Sequence, residues 1–154
     1  MQIRRFKTED LSQINDIVLA MNPKWFTDKA LKNIPIDSQV NNCLVAEQDN
    51  QILGFITYCS QNGEALINWL AVDLNHHREG IGEALITSVI NNVKKYNISV
   101  LTVETIVEQE PPDGSYDETI KFYYNQGFKL RKQYDPEESD GFVFSKGVLE
   151  KRLV

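Results

Sequence analysis

The segment with the clearest chemical content runs from Trp69 to Leu85. An apolar run ending at Val72 leads into the polar stretch Asp73 to Glu79, and Gly80-Ile81-Gly82 then opens a helical pattern. A helix start presents N–H groups without an intrahelical acceptor and the positive end of the helix dipole, so a phosphate or pyrophosphate suits such a loop. Gly80 and Gly82 carry no Cβ to hold an anion away from the backbone. The same glycines would also serve a tight turn and close helix–strand packing, and spacing alone leaves both readings open. Two common phosphate loops are excluded. A dinucleotide fingerprint needs a third glycine where Leu85 stands, and the Gly-Lys-Ser/Thr ending of a Walker A loop is absent. His76 and His77 are adjacent, with no cysteine or third histidine nearby, and form no metal set. The two cysteines, Cys43 and Cys59, lie in separate apolar runs and read as reduced, buried thiols of a cytoplasmic protein.

The elements that must position this loop alternate in type. Residues 2–6 read as a short strand. Thr8 or Asp10 can cap a helix whose stripe is Leu11, Ile14, Ile17 and Val18, bounded by Pro23. Thr27 can cap a second helix that stops before Pro35, with Trp25 and Phe26 between the two. Residues 43–46 and 52–58 read as strands joined through Asp49-Asn50, and 65–72 as a strongly apolar strand. After the glycines, Leu85, Ile86, Val89, Ile90 and Val93 share one helix face. Residues 98–107 are β-branched and strand-like. Pro111 to Gly114 form a turn, Ser115 can cap a helix over 116–125, and Gly127 suits its C-cap. Two further strands, 128–134 and 142–145, flank an acidic loop from Asp135 to Asp140. Neighbouring strands combined with strand–helix–strand units predict a mixed sheet covered by helices.

A chain of 154 residues reads as one domain, residues 1–154, able to bury a core without disulfides or a structural metal. Its apolar fraction of 42% and charged fraction of 25% exclude collagen-like, low-complexity and wholly disordered classes. The net charge of −6 argues against general nucleic-acid or anionic-membrane binding. Residues 1–10 are charged and unlike a signal peptide, and no run approaches the length of a membrane span.

The residues quoted above resemble the GNAT superfamily of N-acetyltransferases. That family's coenzyme motif is an apolar strand ending in valine, then Arg/Gln-x-x-Gly-x-Gly/Ala at a helix start. Here the strand is Trp69-Leu70-Ala71-Val72 and the loop His77-Arg78-Glu79-Gly80-Ile81-Gly82. His77 departs from the pattern, with Arg78 beside it. A second family signature, an aromatic, then tyrosine, three variable residues and Gly-Phe, is met by Phe122-Tyr123-Tyr124-Asn125-Gln126-Gly127-Phe128. Tyr116 stands where the family often has asparagine. Gly54-Phe55 and Phe144-Ser145-Lys146 also look like family positions. The resemblance implies an α/β (α+β) fold: one mixed, mostly antiparallel sheet of about six to seven strands with helices on both faces. It implies acetyl-CoA as co-substrate, bound by Leu70, Ala71, Val72, His77, Arg78, Glu79, Gly80, Ile81 and Gly82, and no metal. It also implies an amine acceptor, on a small molecule or a peptide, as the partner, and leaves a homodimer open.

Acetyl transfer to an amine needs a neutral amine, a stabilised tetrahedral intermediate and a protonated leaving thiolate. A lysine-like amine has a pKa of about 10.4, so its neutral form costs about 4–5 kcal/mol at pH 7. The resemblance makes Tyr123 the acid at the sulfur. The plain alternative is that its ring only packs, as Phe122 and Phe128 do. Tyr124 points about 100° away round the helix and is the weaker candidate. Glu104, in phase with Val100 and Thr102, is the candidate base; Glu108, Glu64 or a water chain are alternatives, and a solvated strand end is the structural one. Trp25 and Phe26 either wall the acceptor pocket or staple the second helix. The carboxylates Glu104, Glu108, Glu110, Asp113, Asp117 and Glu118 suggest a cationic acceptor. A non-catalytic acyl-coenzyme A-binding or protein-docking module on the same fold is the competing reading.

Overall fold

Two short turns set the first half of the sheet. Asp49 and Asn50 both take positive φ (52° and 65°), the geometry that a two-residue hairpin requires, and Asn62-Gly63 repeat it at 54° and 80°. These turns join β2 (Asn42–Gln48), β3 (Gln51–Gln61) and β4 (Glu64–Val72), and β1 (Gln2–Arg5) adds antiparallel to β2. The second half comprises β5 (Val100–Glu110), β6 (Lys129–Gln133), β7 (Glu137–Ser139) and β8 (Phe142–Arg152). The structure, a computed structural model, describes residues 1–112, 114–139 and 141–154, apart from the side chain of Ser115. The predicted Ser115 cap and the carboxylates of Asp113 and Asp140 lie outside the described residues.

One eight-stranded sheet runs in the order β1-β2-β3-β4-β5-β8-β6, with β7 also paired to β8. The pairing of β4 with β5 is parallel and the other described pairings are antiparallel. Among the described residues four α-helices cover it: α1 (Leu11–Ala20), α2 (Asp28–Val40), α3 (Ile81–Lys94) and α4 (Ser115–Asn125). The sheet separates two apolar clusters. One joins Leu85, Ile86, Val89 and Val93 of α3 and Tyr123 of α4 to Ile56, Ile67, Leu101, Val103 and Leu149. The other joins Ile14, Ile17 and Val18 of α1 and Ala30 and Ile34 of α2 to Val45, Phe55 and Ala71. Among the described residues, no helix is long and apolar enough to cross a membrane.

The helical stripes agree with their sequence pattern, and four local features differ from it. First, α2 runs through Pro35 to Val40 instead of stopping before it. Burial of Ile34 and Ser38 on the face begun by Ala30 outweighs the lost backbone donor, and Ser38 Oγ–H donates to the Ile34 carbonyl (2.8 Å). Second, Asp10 does not cap α1. Its carboxylate receives Arg4 at 2.8 Å and the Lys7 N–H at 2.7 Å. Third, the acidic loop contains a short strand, β7, which brings the count to eight. Fourth, β8 extends to Arg152, because Val148, Leu149 and Glu150 are held between β5 and β6.

Candidate active site

β4 and β5 stay together for only three residue pairs, Ala65 with Leu101, Leu66 with Thr102 and Ile67 with Val103. Beyond them β4 follows β3 while β5 follows β8, so the strands part. The parting begins at a β-bulge. Thr57 and Tyr58 oppose Trp69 and Ile67, which makes Asn68 the extra residue. The Asn68 side chain is held from two sides: its Oδ1 accepts from Asn41 Nδ2 (3.2 Å) and its Nδ2 donates to Cys59 Sγ (3.6 Å). From Asn68 to Val72, the backbone edge of β4 that faces β5 has no strand partner among the described residues. Leu70 and Val72 pack toward α3, whereas Trp69 and Ala71 face α1 and α2.

At the open end of β4 lies the glycine loop. Asp73 N–H donates to the Leu53 carbonyl (2.8 Å), and the Asp73 carboxylate caps a single 3-10 turn by accepting from Asn75 N–H (2.8 Å). His77 then reaches back to the Val72 carbonyl (2.9 Å). A carbonyl can only accept, so Nε2 carries the proton. His76 Nδ1 holds the Glu79 carboxylate (2.8 Å). Gly80 sits at φ +78°, a left-handed conformation that costs a side-chain-bearing residue about 1–2 kcal/mol. A Cβ added there would meet nothing, so the loop is open above it. The first bond of α3 runs from Ala84 N–H to the Gly80 carbonyl (3.0 Å), which leaves the N–H groups of Ile81, Gly82 and Glu83 outside the helical ladder. Ile81 is buried under this end of α3. Arg78, at φ +65°, is exposed, and its guanidinium has no hydrogen bond or ion pair among the described residues. Donors on the backbone and one free cation are a set that binds a pyrophosphate.

Gly82 has a different reason to be glycine. A Cβ there would lie 3.0 Å from Cζ of Phe122, so α3 meets α4 by direct contact of backbone with ring. Phe122 in turn stands edge-on to Tyr123 (centroids 5.3 Å apart), and Phe128 does the same from the other side (5.3 Å). Tyr123 is 5% exposed, and its hydroxyl has no hydrogen-bond partner among the described residues. Burial pushes the phenol well above its ordinary range, so it stays protonated at neutral pH. Tyr124 is 46% exposed and points away from this cluster.

The predicted carboxylates that lie among the described residues are not gathered together. Glu104 is the first residue of β5 past the last pair with β4, exposed, and on the same face as Thr102. A second bulge then intervenes: Ile106 opposes Lys146 but Glu108 opposes Ser145, leaving Val107 as the extra residue. An inserted residue moves all later side chains to the opposite face. Glu108 and Glu110 therefore share the face of the buried Ser145 and Leu149, the α3–α4 side, and Asp117 and Glu118 start α4 on that side. Glu64 is bound to Arg131 (2.6 Å), whose hydrogen bonds hold its carboxyl below the usual range. Among the described candidates, Glu104 and Glu64 share a face with Trp69, and Glu64 is taken up by Arg131, which leaves Glu104. A carboxylate that no sequence spacing marks stands at Trp69: the indole N–H donates to Asp37 Oδ2 of α2 (2.7 Å). Phe26 stands edge-on to the same indole (5.8 Å), and Trp25 lies against His77 (6.4 Å) with Lys24 Nζ 4.7 Å from its ring. Among the described residues no group of three or more His, Cys, Asp and Glu side chains converges as a metal site.

The family model of the acetyltransferase (GNAT) domain matches residues 39–130, which span the bulged β4, the glycine loop, α3, β5 and α4. A Bacillus subtilis (strain 168) protein assigned as a ribosomal protein bS18-alanine N-acetyltransferase is 21% identical over 141 residues, covering 92% of this chain and 91% of that one. Among solved structures, a GNAT-family acetyltransferase from Desulfovibrio desulfuricans superposes with a TM-score of 0.85 at 19% identity, covering 99% of both chains. The ribosomal-protein-S18-alanine N-acetyltransferase of Escherichia coli does so at 0.77 and 20% identity, over 99% of this chain and 93% of that one. An aminoglycoside 6'-N-acetyltransferase complexed with coenzyme A gives 0.78 at 14%, over 100% and 98%. With the parted strands, the glycine loop and the tyrosine helix in one register, the chain belongs to the GNAT family and is an acetyl-CoA-dependent N-acetyltransferase.

Proposed function

We propose that the enzyme acetylates a primary amine, carried by a cationic small molecule or by a peptide or protein, through direct attack of the amine on the thioester. The observation that carries this reading is the parting of β4 and β5 after Ile67 and Val103, with the loop donors at one end and Tyr123 behind. The free edge of Leu70 to Val72 and the donors from His77 to Gly82 are the coenzyme site. Ile81, Gly82 and Glu83 offer N–H groups to the pyrophosphate, and Arg78 offers a guanidinium. His76 keeps the Glu79 carboxylate engaged on that same loop. When bound, the coenzyme supplies a thioester whose sulfur leaves as a thiolate. Tyr123, kept neutral by burial, gives that sulfur a proton. Glu104, on the face opposite Tyr123, takes the proton from the incoming amine, directly or through water.

Glu104 and Asp37 lie on the Trp69 side of the sheet in a chain of net charge −6. A negative, aromatic-lined entrance raises the local concentration of cations. Two of the proteins named above are a ribosomal-protein-S18-alanine N-acetyltransferase and an aminoglycoside 6'-N-acetyltransferase, and both names describe transfer to an amine. The test is coenzyme A release, read with a thiol reagent, over polyamines, aminoglycosides, lysine-bearing peptides, peptides with N-terminal alanine, and glutamate. Cationic amines should release coenzyme A, with a specificity constant that falls as salt rises. An anionic best acceptor, or a constant that rises with salt, would refute the cationic reading.

A further inference from the structure

We propose that His77 is a positioning residue that couples coenzyme binding to the placement of the acceptor-side aromatic wall. The proposal rests on the coenzyme site assigned above. The α1–α2 connection, Met21 to Thr27, makes two aromatic contacts outside its own helices. Phe26 stands against Trp69, a residue of the parted β4. Trp25 stands against His77, a residue of the coenzyme loop, at 6.4 Å and 73°. His77 is itself anchored to the last carbonyl of β4 through Nε2 (2.9 Å). That nitrogen is therefore committed to the backbone, while the ring edge-packs with Trp25. The family pattern places a long Arg or Gln side chain here, and a flat ring held in this way offers the α1–α2 connection a surface that a flexible chain does not.

The consequence is a linkage. An anion seated over Gly80 to Glu83 restrains the loop, the loop orients the His77 ring, and the ring orients Trp25. Whatever restrains one end restrains the other, and the effect is reciprocal. A ring contact at an exposed site changes affinity about two- to tenfold. Coenzyme A itself is the probe, since no acceptor is needed. The chain has two tryptophans, so a Trp69→Phe protein leaves Trp25 as the only indole reporter. Coenzyme A should lower acrylamide quenching of Trp25 in that protein and leave it unchanged in the Trp69→Phe/His77→Ala protein. Independently, with Trp69 intact, calorimetry should show that Trp25→Ala weakens coenzyme A binding about two- to tenfold when His77 is present and has no effect in a His77→Ala background. Coenzyme A that binds while Trp25 stays equally quenched, or a Trp25→Ala effect of equal size in both backgrounds, overturns the coupling and leaves the coenzyme site standing. No binding of coenzyme A to the unaltered protein overturns the coenzyme site and the coupling with it.

Discussion

Replacing Tyr123 by phenylalanine separates a catalytic role from a structural one, because the two roles predict different outcomes. The ring is 5% exposed and fixed between Phe122 and Phe128, each 5.3 Å away, and phenylalanine keeps all of that contact. What is lost is a hydroxyl that has no hydrogen-bond partner among the described residues and whose oxygen is not fully buried. With no hydrogen bond to lose and an oxygen that reaches solvent, its removal should leave stability within about 0.5 kcal/mol. For a chain of this size each kcal/mol moves Tm by about 2–4 °C. Turnover should fall. Loss of a general acid costs about 10²–10⁴-fold, which at 1.36 kcal/mol per tenfold is roughly 2.7–5.5 kcal/mol on the barrier. Coenzyme A affinity, set by the loop donors, should not change. The assays are thermal denaturation, calorimetry with coenzyme A, and coenzyme A release with an amine that the unaltered enzyme accepts. A Phe variant that turns over within about twofold of the parent removes Tyr123 from the mechanism. A fall in Tm of several degrees would mean that the hydroxyl supports the fold instead.

Gly82→Ala should press a methyl against Phe122 at 3.0 Å, cost about 1–3 kcal/mol of stability, and lower turnover more than coenzyme affinity; adding Phe122→Leu should recover part of both losses. Glu104→Gln should shift the pH–rate optimum upward, to where the amine deprotonates unaided, and an unmoved profile would count against Glu104 as base. At Asp10, burial raises the carboxyl but the Arg4 hydrogen bonds and the Lys7 N–H outweigh it, so the folded pKa lies below the ordinary value. Its stabilisation is therefore present above the unfolded pKa of about 3.9 and fades as pH falls through the lower, folded value. Asp10→Asn, which leaves Glu47 as the remaining carboxylate partner of Arg4 among the described residues, should cost about 1–3 kcal/mol at pH 7 and flatten the acid limb of a Tm–pH curve. Burial pushes the Cys43 thiol up to about 12, so at pH 8 a disulfide reagent should leave Cys43 unmodified until the protein is unfolded.

Local chemistry was legible where it acts locally. The stripe from Leu85 to Val93, the Asp49-Asn50 turn and the left-handed Gly80 follow from residue types within a few positions. The reach of β8 to Arg152 was not, because only its neighbours on both sides make that stretch a strand. Pro35 argued for a helix end, and burial of Ile34 and Ser38 overrode it. The bulges at Asn68 and Val107 leave no local mark, since an extra residue is extra only relative to a partner strand. That is why six acidic positions looked like one acceptor-side cluster. The Val107 bulge turns Glu108 and Glu110 to the other face. The pairing of Trp69 with Asp37 spans 32 positions and has no spacing that would announce it.

The sheet that divides the two apolar clusters also divides the ways this enzyme can change. The layer of α3 and α4 carries the donors and the phenol, while the layer of α1 and α2 carries Asp37, Phe26 and the residues around Trp69. Substitutions more than about 7–10 Å apart with no shared partner add independently. Residues of the α1–α2 layer can therefore be exchanged, and the preferred amine with them, while the grip on coenzyme A stays constant. The junction of Trp25 with His77 is the point where that independence ends. A library aimed at new acceptors should vary Phe26 and Asp37, which flank Trp69, and hold Trp25 fixed.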